Sequence, residues 1–483
     1  MDSNSRLQAV LDVGIALSEE KNRNRLYNII ITKSMELTSC DAGTLYIYDN
    51  DALYFKIMKT KSMNVDRGGD GEVIDLPPVP MKEGNICAYA AIHKKALNIE
   101  DVYADNNDFD FSGPKNYDKM TGYHTQSMIA VPLVGSDEKV VGVLQLINAM
   151  NDKGEVIPFD ESLEMMVQAL ASQTAVAVLN AKYEEELKEQ MWSFTEAMAA
   201  AIDERTPYNA SHTRHVAEYS GMIADYINEL HLKGEEEEYF SNNRREQLVM
   251  GALLHDIGKL VTPLEVMNKA TRLGGKESVI DSRFENYRLR SRILYLEKKL
   301  DPDEYTETLA RIDEAKETVD KVNSAGFVDE ELRATLEKIL EYRFDDDGEM
   351  RPFFTDDEKE CLRIVKGTLT EGERKIMEGH VEITKRILDK VHFNSYFEQS
   401  PRWAAEHHEC LNGRGYPNHL VAEQLETDAR IIAVADICDA LLATDRPYKK
   451  PLPKEKAFDI MRNMAKDGNI DGKLVEYLYA CIG

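Results

Sequence analysis

From Thr44 a run of mostly apolar and aromatic residues, TLYIYD, breaks at Asp49-Asn50-Asp51 and resumes with LYFKIMKT. The aromatic and β-branched content on either side of that turn predicts an antiparallel hairpin. SMIAVPLVG and VVGVLQLINA repeat the arrangement around Gly135-Ser136-Asp137. Helical patterning flanks these strands over roughly residues 5–38 and 160–200, giving an α+β unit of about 180 residues.

Leu163, Met166 and Leu170, then Leu187, Met191, Phe194 and Met198, recur at gaps of three and four with no Gly or Pro between them. One long helix is expected to connect two halves of the chain. Its apolar seam suits either packing on its own sheet or pairing with a second copy in a parallel homodimer, which is the preferred reading.

Beyond this helix strand patterning almost vanishes, and segments such as SHTRHVAEYSGMIADYINEL and ATLEKILEYR favour helix, so an all-α bundle is expected. Between about Lys276 and Val365 lies a strongly charged stretch interrupted at Asp301-Pro302 and Ser324-Ala325-Gly326, which reads as a helical hairpin projecting from the bundle. Its FDDDGEM segment lacks the spacing of a calcium loop. The expected organisation is a sensor unit over 1–180, a connecting helix over 181–200 and a helical domain over 201–483, with the insertion at about 276–365.

At 483 residues, 43% apolar and 30% charged, the chain can bury more than one core. No run approaches the roughly eighteen uncharged apolar residues of a membrane span, so a cytoplasmic address without membrane insertion is expected. The six cysteines show no C-x-x-C spacing, which argues against disulfides and thiolate zinc sites. A formal charge of -28 disfavours a nucleic-acid duplex as partner, and a small anionic substrate would need local positive charge.

Nine of the eleven histidines follow residue 200, several beside carboxylates or each other: His255-Asp256, and His407-His408-Glu409. A lone His-Asp dipeptide occurs by chance, so the constellation has to carry the argument. Adjacent helical residues diverge by about 100°, which lets His255 face one metal while Asp256 bridges two. Imidazole and carboxylate donors without thiolate suit iron, manganese or magnesium better than structural zinc.

HTRHVAEY, LLHDIGK, GTLTEGERKIMEGH, HHECLNGRGYP and VADICDALLATDRPYKK together resemble the HD-GYP phosphodiesterases, over roughly residues 195–475. The resemblance implies metal ligands at His212, His255, Asp256, His380, His407, His408 and Asp436, with two divalent ions, Fe or Mn. It also implies hydrolysis of cyclic di-GMP to pGpG or GMP by a hydroxide that the metal pair activates, Asp256 and Lys259 being catalytic. Cyclic GMP-AMP hydrolysis, or dinucleotide binding with little turnover, are the alternatives.

Lys259, one turn after the His-Asp pair on the same helix, resembles the family's phosphate-binding lysine, against the plainer reading of a surface lysine. Arg446 matches the substrate-side arginine, a role a planar guanidinium suits, unless it pairs only with Asp445 or Asp439. Arg414 and Tyr416 join the substrate-binding candidates, although Tyr416 serves equally as a cap on the core. Gly415-Tyr416-Pro417 is expected to turn tightly, with Gly415 supplying a positive φ.

Asn412 stands where the family usually has Asp. His215 stands where it usually has arginine and is read as a helix-face residue rather than a ligand. Tyr208 occupies the position of the Glu that binds a third metal in some relatives, which favours two ions.

The first unit resembles GAF domains, with Asn148, Phe159, Asp160 and Glu161 similar to the N-K-F-D-E signature of those that bind cyclic nucleotides. Ala149 replaces the lysine, and a dimerising GAF is as good a reading as a small-ligand sensor. Expected partners are therefore a cyclic dinucleotide, a second copy of the chain through the GAF unit and connecting helix, and a small GAF ligand.

Overall fold

The computed structural model describes residues 11–17, 20, 22–69, 71–104, 109–205, 211–393, 396–443 and 452–482. They divide into two compact units, 1–190 and 191–483.

The first unit is built on one antiparallel sheet. Its strands are β1 (Cys40–Asp49), β2 (Ala52–Thr60), β3 (Val65–Gly68), β4 (Val79–Pro80), β5 (Leu97–Ile99), β6 (Met128–Val134), β7 (Val140–Met150) and β8 (Val156–Ile157). The main order is β3-β2-β1-β7-β6-β5, with β4 on β2 and β8 on β7. Both expected hairpins form. Asn50 and Asp51, with φ of 43° and 59°, make the β1–β2 turn, a conformation that short polar residues tolerate.

Helices α1 (Arg23–Thr38), α2 (Ile86–His93) and α3 (Ser112–Thr121) accompany the sheet. Leu26, Ile30 and Ile31 of α1 and Val167, Leu170 and Ala171 of α4 (Glu161–Asp203) bury one sheet face, while α2 closes the other with Cys87, Ala90 and Ala91.

Helix α4 is continuous over 43 residues. Of the expected seam, Leu163, Met166 and Leu170 pack on the helix's own sheet, and Met191 and Met198 lie against a core of the second unit. Leu187 and Phe194 are exposed, as are Val176 and Tyr183. By length and composition α4 also meets the minimum for a membrane span, yet its first turns are core of the GAF-like sheet.

The second unit is largely helical: α5 (His212–Leu232), α6 (Asn242–Leu254), then, after the insertion, α11 (Glu371–Glu378), α12 (His380–Leu388), α13 (Ser400–Ala405), α14 (Thr427–Leu442), α15 (Lys454–Lys466) and α16 (Gly472–Cys481). Val216, Ile223, Leu248, Ile431, Phe458 and Leu478, from five of these helices, share one core.

The insertion is more than the expected helical hairpin. It contains α7 (Glu277–Leu296), α8 (Pro302–Ser324), α9 (Glu330–Leu340), a two-stranded hairpin β9 (Arg343–Asp346) and β10 (Glu349–Pro352), and α10 (Asp356–Leu362). The hairpin turns at Asp347 and Gly348, both with positive φ, in the DDDG segment. Phe344 of β9, with Phe353 and Phe354 just after β10, joins Phe284, Ile312 and Leu336 in a separate core, which anchors the hairpin on the helices. At the root, the buried Arg272 guanidinium donates to the carbonyls of Val322, Ala325, Ile364 and Val365, tying the end of α8 to the segment that leaves the insertion.

Candidate metal centre

The seven residues expected to bind metal come from five separate segments and meet inside the second unit. His212 opens α5, His255 and Asp256 follow α6, His380 opens α12, His407 and His408 follow α13, and Asp436 lies on α14. Six of the seven are buried, and His408 is partly so. Three overlapping groups have their donor atoms within 4.8 Å of one another: His212 with His255 and Asp436, His255 with Asp256 and His407, and His380 with His407 and His408.

Asp256 is the centre of this arrangement. Its Oδ2 lies 3.2 Å from His255 Nε2 and 3.4 Å from His212 Nε2. Its Oδ1 lies 3.4 Å from His380 Nε2 and 4.0 Å from His407 Nε2. One carboxylate therefore faces two separate pairs of imidazoles. Asp436 faces one ring with each oxygen, Oδ1 lying 3.3 Å from His212 Nε2 and Oδ2 3.9 Å from His408 Nδ1.

The backbone fixes which nitrogen is available. Nδ1 of His255, His380 and His407 donates to the carbonyl three residues earlier, Ala252, Met377 and Ala404, at 2.6, 2.6 and 2.7 Å. A carbonyl only accepts, so each Nδ1 carries the proton and each Nε2 presents a lone pair inward. Those three Nε2 atoms and Asp256 Oδ1 are buried without a hydrogen-bond partner. Four orphaned acceptors converging in one place are costly unless a cation satisfies them, and the donor set is that of a divalent metal site.

Electrostatics agree. Burial works to raise the Asp256 carboxyl, but His255, Lys259 and His212 hold it well below the usual carboxylate range. Asp436 behaves alike, burial being outweighed by His212 and His408. Burial pushes His408 down to about 4 and His407 well below the ordinary histidine value, which keeps both rings neutral. Against its own burial, His212 is driven well up by Asp256, Asp436 and Asp439, the mark of carboxylates that require a positive charge among them.

Lys259 and the His-Asp pair do not share one helix. Helix α6 ends at Leu254, and Lys259 sits on a 3₁₀ turn, Ile257–Leu260. Thr384 causes the break: its hydroxyl donates to the His255 carbonyl and accepts from Gly258 N–H, each at 3.0 Å. Gly258 then passes so close to α12 that a Cβ would lie 1.9 Å from the His380 carbonyl oxygen. The tight turn still brings Lys259 Nζ to 2.5 Å from Asp256 Oδ2.

Tyr416 lies beside His408, ring centroids 5.0 Å apart with the planes tilted by 39°, and its N–H donates to the His408 carbonyl. The positive φ of this loop belongs to Gly413, not Gly415. Gly415 is required for another reason, since a Cβ there would lie 2.3 Å from Cys410 N and 2.5 Å from Glu409 Cα. Arg414 is exposed on the same loop. Arg446, Asp445 and Tyr208 lie outside the described residues.

Two contributors escaped the sequence reading. Asp439, one turn after Asp436 on α14, accepts from Nδ1 of His212 at 2.6 Å and from Nδ1 of the half-exposed His215 at 2.9 Å. The i, i+3 spacing of the two aspartates was the available signal. Glu409 accepts from Asn418 and Leu420 N–H at 2.7 and 3.0 Å, holding the loop that carries Tyr416.

Asn412 serves that same loop. Its amide donates to the Asp467 carbonyl and to Asn469 Oδ1, both at 2.9 Å, while its oxygen accepts from Arg414 N–H.

In the first unit, Asn148 is buried and fully occupied: its oxygen accepts from Gln126 and Ser127 N–H, and its amide reaches Tyr123 Oη and the His124 carbonyl. The Phe159 carbonyl accepts from Asn98, Asp160 caps α4 at Leu163 N–H, and Glu161 is exposed. Asn148, Phe159 and Asp160 tie loops and a helix start together.

Residues 22–178 match the GAF domain family, and residues 209–344 and 359–474 match HD domain families. The chain carries a GAF domain followed by an HD domain. The HD domain holds the His and Asp cluster, and the break between its two matched segments, residues 345–358, falls within the insertion.

Over 95 residues the chain is 41% identical to the 3′3′-cGAMP-specific phosphodiesterase 3 of Vibrio cholerae, covering 20% of each protein. It is 37% identical over 99 residues to the cyclic di-GMP phosphodiesterase response regulator RpfG of Xanthomonas campestris pv. campestris, and 39% identical over 97 residues to a cyclic di-GMP phosphodiesterase of Thermotoga maritima. Both matches cover 20% of this chain and 26% of the relative. The chain thus matches a fifth to a quarter of the length of these curated relatives.

Proposed function

We propose that the chain is a phosphodiesterase of HD-GYP type that hydrolyses cyclic di-GMP to pGpG and/or GMP under control of its GAF domain. The observation that carries this reading is the placement of Asp256, whose two oxygens address two different imidazole pairs. A carboxylate so placed suits a bridge between two divalent ions.

His212, His255 and Asp436 would hold one ion, His380, His407 and His408 the other, with Asp256 shared. Imidazole and carboxylate donors favour Fe or Mn. Such a pair supplies Lewis-acid charge for the phosphoryl oxygens and for the attacking water.

The protein's own part is positional. Asp439 orients His212, and the carbonyls of Ala252, Met377 and Ala404 orient three further rings. Lys259 neutralises part of Asp256 and places an ammonium beside the cluster for a substrate phosphate, with Arg414 and Arg446 as further anion-binding candidates. Tyr416 offers an aromatic face beside His408 for a base or sugar.

The exposed residues Val176, Tyr183, Leu187 and Phe194 of α4 support a homodimer through the GAF domain and connecting helix, in the cytoplasm. Asn148, Phe159 and Asp160 of the GAF signature, being engaged in loop and helix-start contacts, favour the dimerising role over nucleotide binding.

The test is metal analysis of anaerobically purified protein followed by incubation with cyclic di-GMP. Two ions per chain and release of pGpG or GMP are expected, and intact substrate after prolonged incubation of fully loaded protein overturns the proposal. A second reading, cyclic GMP-AMP as substrate, is favoured by the relative at 41% identity, and the same assay with that dinucleotide separates the two.

A further inference from the structure

Helix α7 has two apolar faces and the insertion uses only one. Ile280, Phe284, Ser291 and Leu294 are buried in the insertion's core. On the other side Val279, Leu289, Ile293 and Leu296 are 55%, 59%, 45% and 68% exposed. With Ser282 and Asn286 these positions follow gaps of three, four, three, four and three, a heptad seam on a helix that is otherwise already packed.

We propose that this seam pairs, in parallel and in register, with the same seam of a second copy of this chain. The choice of occupant comes from self-complementarity. Alternate seam positions read Val279, Asn286, Ile293 and Ser282, Leu289, Leu296. A β-branched residue at one position and leucine at the other is the pattern of parallel two-stranded packing, and a single Asn on the β-branched row sets register by meeting its own copy.

The flanking charges agree. In the parallel arrangement Glu285 faces Arg290 of the second copy and Arg292 faces Glu297, with no like-charge pair. Turned antiparallel, Asn286 would oppose Leu289, Ser282 would oppose Ile293, and Arg290 would meet its own copy. Arg290 keeps a bond to Asp346 within its own chain, which holds its guanidinium at the seam's edge. A helix of this length pairs weakly when it must also fold, but here the insertion core has already formed it.

The experiment uses the full chain bearing Asn286→Cys or, separately, Ser282→Cys, oxidised beside the unsubstituted protein and run on a non-reducing denaturing gel. Parallel in-register pairing places each substituted position against itself, so both variants should give a covalent dimer that the unsubstituted chain does not. Adding Leu289→Glu and Ile293→Glu should remove it at least tenfold. Failure of both folded variants to crosslink overturns the proposal, and so does crosslinking that survives the glutamates, which would be collision. Because the probe sits on α7, pairing along α4 neither produces nor abolishes the signal.

Discussion

The Nδ1–H of His212 donates to Oδ2 of Asp439 at 2.6 Å, fixing the ring so that Nε2 faces Asp256 and Asp436. A carboxylate behind a metal-binding imidazole sets its tautomer and raises its basicity, and losing one typically costs about ten- to a hundredfold in metal affinity. Asp439→Asn should therefore weaken metal binding by that factor in a chelator competition. His215→Ala, which removes only the outer, half-exposed partner of Asp439, should change it far less.

Asp256→Ala removes the one group that faces both imidazole pairs. Metal stoichiometry measured after purification should fall by at least one ion per chain, and turnover of a cyclic dinucleotide should drop by three or more orders of magnitude, about 4 kcal/mol of barrier. A variant that keeps both ions and measurable turnover contradicts a shared carboxylate.

The turn that carries Lys259 depends on Thr384 and Gly258. Thr384→Val keeps the shape but leaves the His255 carbonyl and Gly258 N–H unpaired, with an expected loss of about 1–3 kcal/mol in denaturant unfolding. Gly258→Ala sets a Cβ against the His380 carbonyl and should cost about 3 kcal/mol, because backbone on both sides has to move. Equal stability of both variants with the parent would show that the 3₁₀ turn is held by something else.

Arg272 is the buried clamp at the root of the insertion. Arg272→Met would strand the Ala325 and Ile364 carbonyls and take one of two donors from those of Val322 and Val365, and a loss of about 2 kcal/mol or more is expected. Since the insertion has its own core, the loss should show as early proteolysis between 273 and 365 before the HD domain melts. Simultaneous loss of both would show that the clamp serves the whole domain.

The ligand set was legible because histidines are few, eleven in 483 residues, and the motifs that carry them resemble those of the HD-GYP phosphodiesterases. The GAF hairpins were legible because runs of aromatic and β-branched residues bounded by turn residues are local properties. Asp439 was not, since one carboxylate among many shows no sign of facing His212 across 227 positions. The end of α6 at Leu254 escaped for a similar reason: LLHDIGKL continues a helical pattern, and what stops it is Thr384 from a distant helix. The strands β9 and β10 were missed because short, charged segments acquire strand geometry only by covering Phe284 and its neighbours.

Asn412 tests whether a departure from the family's usual Asp bears on catalysis. Its amide donates to the Asp467 carbonyl, a bond that a carboxylate cannot make. Asn412→Asp replaces that donor with a charge facing a carbonyl oxygen, so it should destabilise by about 1–3 kcal/mol in thermal or denaturant unfolding. Metal affinity should stay within about twofold, because the contacts shown for Asn412 hold the loop and involve none of the seven cluster residues. Were the substitution to stabilise the fold and raise turnover instead, the Asn would be a brake on activity, and the loop-anchoring account of this residue would be wrong.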